Sequence, residues 1–264
     1  MLVNSLVWNP NPIALDFGFF DVSWYGLTWS FSIILAYLLL RRIFVREGKD
    51  PNIAIDLVQY VFLGALIGAR VLDVFYYHFT EFLERPLLLF EVWNGGLASH
   101  GAMIGTALAV LLFSKVHKQF SFWYLLDLSA LIMPALGALV RIGNFINGEL
   151  YGKTTSLAWG VIFESSDPLK LPRHPIQLYE AVWLLSCFFF FWFLAKYKKL
   201  PEKLLSGLFL SLVLGGRFLL EFLKDSSTYY GNLSNTQLLS ILAVLIGLSL
   251  LLSLVIKGNK SAKS

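Results

Sequence analysis

The chain has 264 residues, of which 57% are apolar, 16% aromatic and only 14% charged, and its mean hydropathy is +0.67. A soluble domain carries about 25% charged residues, and surface to be wetted grows with chain size, so burial in lipid rather than a larger aqueous core accounts for the deficit. The net charge of +4 and the pI near 9.1 do not point to nucleic acid, because Lys and Arg fall in short tracts between apolar runs rather than along one polar face.

Residues 1–22 hold no Lys or Arg and no compact apolar core, so the first helix is expected to insert as an uncleaved span. A span needs about 20 mostly apolar residues. In chain order the candidates are 23–42, 53–77, 97–116, 122–146, 177–197, 203–223 and 236–256. The expected fold is an all-α integral membrane protein, a single polytopic domain over 1–264 with seven transmembrane helices. Trp24 and Tyr25, Trp123 and Tyr124, and Trp192 and Tyr197 sit near span ends, where amphipathic rings meet lipid headgroups. Cys187 is the one cysteine. It lies inside the apolar run LLSCFFFFWF and reads as a packing residue.

Basic residues decide the direction of crossing, since cytoplasmic loops are enriched in Lys and Arg. Arg41, Arg42, Arg46, Lys49, Lys115, Lys118, Lys196, Lys198, Lys199, Lys203, Lys257, Lys260 and Lys263 place thirteen on one side. Arg85, Lys153, Lys170, Arg173 and Lys224 place five on the other. The N-terminus is therefore expected outside (periplasmic) and the C-terminus in the cytoplasm, which agrees with an odd number of crossings.

A charge at the bilayer centre costs roughly 2.5–3.5 kcal/mol on insertion scales, so charges within spans are paired or functional. Given that orientation, nearly all the strongly polar residues within spans gather in the outer parts of their helices, Asp56 and Asp127 near inner ends excepted: Tyr25, Arg70 and Asp73, His100, Arg141 with Asn144, Asn147 and Glu149, then Gln177, Tyr179 and Glu180, and finally Arg217 and Glu221. The pattern predicts a polar chamber open to the outer leaflet. Arg70–Asp73 and Arg217–Glu221 also have same-face helix spacing and can be read as plain structural ion pairs. Several guanidinium groups at one depth point to an anion, since Arg binds phosphate bidentately, and a phospholipid headgroup is the plentiful anion there.

The run VRIGNFINGELYG at 140–152 resembles the signature of bacterial prolipoprotein diacylglyceryl transferases, G-R-x-G/A-N-F-x-N-x-E-x-x-G, at seven fixed positions. WYGLTW at 24–29, GARVL at 68–72, GGLASHGAMIG at 95–105, RHPIQLYEA at 173–181, RFLLEF at 217–222 and LSNTQLLS at 233–240 match in the same order. The departures are Val140 for the signature glycine, Val213 for a tyrosine, and HGA for HGG.

The resemblance implies a multi-pass enzyme of the bacterial inner membrane. It would transfer the sn-1,2-diacylglyceryl group of phosphatidylglycerol to the thiol of the lipobox cysteine in a prolipoprotein signal peptide, the first step of lipoprotein maturation, releasing glycerol phosphate. Such a displacement needs a thiolate and positive charge where the phosphate leaves. His100 is the expected base, and Arg141 and Arg217 are the expected phosphate clamp. Tyr25, Arg70, Asn144, Glu149, Gly152 and Glu221 are expected to bind or orient substrate, with Gly152 permitting a tight turn. No cofactor or metal is expected, as no His/Cys/Asp set has ligand spacing. Three rival readings stand beside it: an intramembrane hydrolase, disfavoured because Ser99 and His100 are adjacent and diverge on a helix; a non-catalytic lipid-binding or transport protein, for which no inverted repeat or pair of broken helices is evident; and an inactive or retuned relative, which the departures at Val140 and Val213 keep open.

Overall fold

The computed structural model describes residues 6–91, 96, 98–197, 200–224, 229–230 and 233–261. Gly95, Lys198, Lys199 and Lys263, named above, lie outside these residues, as do the side chains of Ser99, His100, Tyr197 and Lys260. The protein is mostly helical, the form in which a chain in hydrocarbon pairs most of its own backbone groups. Helices α1 (Trp24–Arg46), α2 (Ile53–Tyr77), α3 (Phe79–Glu84), α4 (Ser99–Val116), α5 (Phe122–Ile146), α6 (Ile176–Tyr197), α7 (Leu204–Leu208), α8 (Leu214–Leu220) and α9 (Asn235–Ser261) follow in chain order.

Among the described residues, six helices are long and apolar enough to cross a membrane, counting Leu204–Leu223 as one. Helix α4, at 18 residues, is shorter than these. Helix α1 continues past its apolar stretch to Arg46, because hydrogen bonding does not stop where hydropathy does. Residues 204–223 are interrupted by a π-turn at Phe209–Val213. Short strands add to the expected helices: β1 (Leu6–Trp8) pairs in parallel with β4 (Val161–Phe163), β2 (Ile13–Asp16) with β3 (Asp21–Ser23), and β5 (Tyr229–Tyr230) with β6 (Leu233–Ser234). At two to four residues each, they are too short to show alternation in sequence.

The chain forms two compact units, residues 37–128 and residues 1–36 with 129–264. In the first, α2 and α4 cross on small residues. Gly64 and Gly68 face Gly101 and Gly105: a Cβ on Gly64 would stand 2.6 Å from the Gly105 carbonyl oxygen, and one on Gly68 would stand 2.8 Å from the Gly105 Cα. The sequence carries this as GALIG and GAMIG, two copies of the spacing that lets membrane helices approach backbone to backbone. Phe44, Phe113 and Phe120 are buried beneath the crossing and stack in a cluster with Tyr124, whose hydroxyl donates to Glu47 at 2.8 Å.

In the second unit, Ser32 of α1 donates to the Leu136 carbonyl of α5 at 3.4 Å, and Thr28 sits against Gly143. Trp183 of α6 donates to the Leu212 carbonyl at 3.2 Å, within the π-turn whose altered ladder frees that oxygen. Gly207 and Gly247 bring α7 against α9. Phe31, Phe189, Phe193 and Leu242 point outward and are more than half exposed, the distribution expected of lipid-facing surfaces. The segment 147–176 is pinned by Asp167. Its carboxylate accepts from Arg173 Nε at 2.8 Å and Nη2 at 2.9 Å, and from the amides of Leu169 and Leu171. The Arg173 hydrogen bonds hold its carboxyl below the ordinary range.

Candidate active site

The site is built in the second unit at the C-terminal end of α5. The helix stops at Asn147-Gly148, where Gly148 has φ +69°, a left-handed conformation that costs glycine nothing. The Gly148 amide donates to the Phe145 carbonyl at 3.0 Å and the Glu149 amide to the Asn144 carbonyl at 3.0 Å. This is a Schellman end, and it satisfies carbonyls that the helix would leave open. Its consequence is chemical, because it folds Glu149 back over Asn144. Asn144 Nδ2 donates to Glu149 Oε1 at 2.7 Å, and Arg141 Nη1 donates to Asn144 Oδ1 at 3.1 Å. Arg141, Asn144 and Glu149 thus form one chain of hydrogen bonds.

Helix α6 supplies the centre. Gln177, fully buried, donates to the Glu149 carbonyl at 2.6 Å. Glu180, one turn deeper and 4% exposed, is the anion that the cations share. Arg141 Nε lies 2.7 Å from its Oε2, while Arg217 Nη1 and Lys224 Nζ both meet its Oε1, the latter at 3.0 Å. Arg217 Nη2 also pairs with Glu221 Oε2 at 3.4 Å. Ser234 donates to Glu221 at 3.3 Å, and Gln237 donates to the Phe218 carbonyl at 3.4 Å, so the segment at 233–240 holds this end of α8 in place. The Arg141 and Arg217 side chains are about a quarter exposed, and the carboxylates behind them are 5–6% exposed. The guanidiniums therefore form the accessible face. Burying such a network gives little net stability. It does preorganise positive charge.

Gly152 is required by close approach, since its φ is not among the left-handed values. A Cβ there would stand 2.7 Å from the Leu223 carbonyl oxygen and 2.8 Å from the His174 Cβ. Its amide donates to the His174 carbonyl at 2.9 Å, and the Lys153 amide donates to Leu223 at 2.8 Å. Gly152 thereby ties the signature loop to the chain before α6 and to the end of α8. Beside it, His174 Nδ1 lies 3.3 Å from the Tyr179 hydroxyl, which accepts from Trp159 Nε1 at 2.7 Å, and burial lowers the imidazole pKa. Tyr25 is half-buried in the first turn of α1.

Arg70 and His100 belong to the other unit. Arg70 is 5% exposed, and its guanidinium donates to the carbonyls of Leu88, Leu89 (3.3 Å) and Gly96 (3.2 Å), with Asp73 Oδ2 at 3.7 Å. Asp73 also meets His78 Nδ1 at 3.1 Å. His100 lies in the first turn of α4. Of the expected residues, the structure joins Arg141, Asn144, Glu149, Arg217 and Glu221 in one network and brings Gly152 to its edge. Sequence reasoning noted Glu180 only as a polar residue at a span start and used Lys224 only to count charge. The signal for Glu180 was its place in RHPIQLYEA, one helical turn after Gln177 on the same face.

The sequence profile described as prolipoprotein diacylglyceryl transferase matches residues 12–253. A curated relative from Tolumonas auensis, named phosphatidylglycerol–prolipoprotein diacylglyceryl transferase, is 39% identical over 251 residues, covering 94% of this chain and 96% of its own length. Relatives of the same name from Oleidesulfovibrio alaskensis (36% over 260 residues, 96% of each chain) and Pseudomonas putida (39% over 253 residues, 91% of this chain and 92% of the relative) agree. From this agreement over nearly its whole length, the chain belongs to the prolipoprotein diacylglyceryl transferase family.

Proposed function

We propose that this protein transfers the sn-1,2-diacylglyceryl group of phosphatidylglycerol to the thiol of the lipobox cysteine of prolipoproteins. In this reading it is a seven-span enzyme of the bacterial inner membrane with its N-terminus outside, α4 being the shortest crossing. The observation that carries the reading is the pair of partly exposed arginines, Arg141 of the signature run and Arg217, which meet on one buried carboxylate, Glu180.

The reaction forms a carbon–sulfur bond and breaks the adjacent carbon–oxygen bond. The oxygen keeps the electron pair, so glycerol phosphate leaves with one more negative charge than the phosphodiester had. Arg141 and Arg217 grip the phosphate in a preorganised, partly desolvated setting, where charge–charge contacts outweigh those in water. Glu221 orients Arg217. Asn144 and Glu149 orient Arg141 and receive the headgroup hydroxyls, and Tyr25 hydrogen-bonds the headgroup. Gly152 keeps the signature loop docked. His100 takes the thiol proton. Arg70, which donates to the carbonyls of Leu88, Leu89 and Gly96, is a substrate-binding residue in this reading.

The test is direct. Purified protein in phosphatidylglycerol vesicles should add a diacylglyceryl mass to a lipobox peptide and release glycerol phosphate in equal amount. A peptide with Ser for the lipobox Cys should stay unmodified. Binding of phosphatidylglycerol without any transfer would instead identify a non-catalytic relative.

A further inference from the structure

Lys224 is the third cation on Glu180, and neither the signature run nor the two-arginine clamp includes it. It lies one residue beyond the spanning stretch Leu204–Leu223. Its side chain is 11% exposed, and its Nζ sits 3.0 Å from Glu180 Oε1, the oxygen that Arg217 also meets. The backbone around it is fixed: Gly152 bridges to Lys224, and the Lys153 amide bonds the preceding carbonyl of Leu223. A flexible lysine at a solvated rim would not be held in this way.

Resting on the transferase reading, we propose that Lys224 is a titratable third ligand of the phosphate, supplying its ammonium to the oxygen that gains charge as glycerol phosphate leaves. Arg141, Arg217 and Lys224 converge on one carboxylate, so an anion that enters among the guanidiniums comes within reach of Lys224. Breaking the carbon–oxygen bond turns a phosphate with one negative charge into one approaching two. The electron pair goes to the leaving oxygen, the thiol proton goes to the base, and Lys224 keeps its proton throughout. Two guanidiniums stay charged at any working pH. The lysine does not.

The charged groups around Lys224 are Glu180 from α6, Arg141 from α5, and Arg217 and Glu221 from its own segment; Lys153 and His174 lie on the strands of chain joined to it at Gly152 through backbone bonds. Burial first, then Arg217 and Arg141, push the ammonium down to about 7, with Glu221 acting the other way. The sign follows: protonated Lys224 binds the dianion, so affinity falls as pH rises through the free-site value. At pH 8.5 only about one site in 30 carries the proton, and affinity falls by up to about 30-fold.

The experiment measures binding of glycerol phosphate by calorimetry at pH 6.5 and 8.5, with transfer to a lipobox peptide assayed in parallel. Wild type should bind at least several-fold more weakly at pH 8.5. Lys224→Arg should bind nearly equally at both values and keep transfer at high pH. Lys224→Met should bind weakly at both, with KM raised. Thermal unfolding of each variant checks that it is folded, and Lys224→Arg retains the charge on which Glu180 depends. Wild-type binding that ignores pH, or an identical alkaline loss in Lys224→Arg, overturns the inference while transfer stands. Absence of wild-type transfer alongside lysine-dependent binding overturns the transferase reading and leaves the anion site.

Discussion

Arg141, Arg217 and Glu180 are worth more to chemistry than to stability. A planar guanidinium can meet Glu180 and a phosphate at once, whereas a lysine presents a point charge. Arg141→Lys and Arg217→Lys should each accumulate normally and lose transfer by at least about tenfold, the loss expected when a charge-assisted contact worth 1.5–3 kcal/mol is broken. Near-normal transfer by both variants would reduce Arg217 to a structural partner of Glu221. Glu180→Gln should behave differently. It removes the resident negative charge, so glycerol phosphate should bind more tightly, while three cations facing one another should cost on the order of 3 kcal/mol, read as a lower unfolding temperature. His100→Gln should lower the rate by about 10²–10⁴ with phosphatidylglycerol binding unchanged. A peptide with an unusually acidic thiol should recover part of that loss, and its failure to do so removes His100 as the base. The candidate arginines were legible because charge inside an apolar run is conspicuous. Glu180 and Lys224 were not singled out, because nothing in a linear pattern says which carboxylate lies opposite which guanidinium.

At the scale of elements, the crossing of α2 and α4 rests on Gly64, Gly68, Gly101 and Gly105. Any Cβ there meets opposing backbone rather than a movable side chain. Gly105→Val should therefore separate the helices and cut accumulation, by more than the 1–3 kcal/mol typical of overpacking where side chains can shift. Gly105→Ala should be milder. Retention of wild-type thermal stability by Gly105→Val would mean the crossing tolerates displacement. The spacing GALIG…GAMIG was present in the sequence, but two small-residue motifs do not reveal that they face each other. The Schellman end at Gly148 was similarly half legible. An Asn-Gly pair after an apolar helix predicts a stop, while the folding of Glu149 back onto Asn144 follows only from the resulting turn. The π-turn at Phe209–Val213 and the paired short strands left no sequence signal.

At the scale of the whole chain, the topology is open to direct test. Reporter fusions after Lys49, Lys118 and Lys199 should report cytoplasm, and fusions near Glu84 and Thr155 should report the outside. A periplasmic signal at Lys199 would invert the proteins's expected orientation. The sequence by itself determined the solvent, the helical class, the approximate helices and the family. Each follows from composition, from apolar run length against bilayer thickness, or from a contiguous motif. Only the tertiary structure decided which groups share a site. Arg141, Glu180, Arg217 and Lys224 come from α5, α6 and the end of α8, at separations such as the 37 residues between Arg217 and Glu180. Hydropathy and spacing act over one or two helical turns, so they rank residues by depth along a helix. Which helix faces which is set by glycine contacts, a helix-ending turn and the Gly152 junction, all of which exist only once the chain has folded.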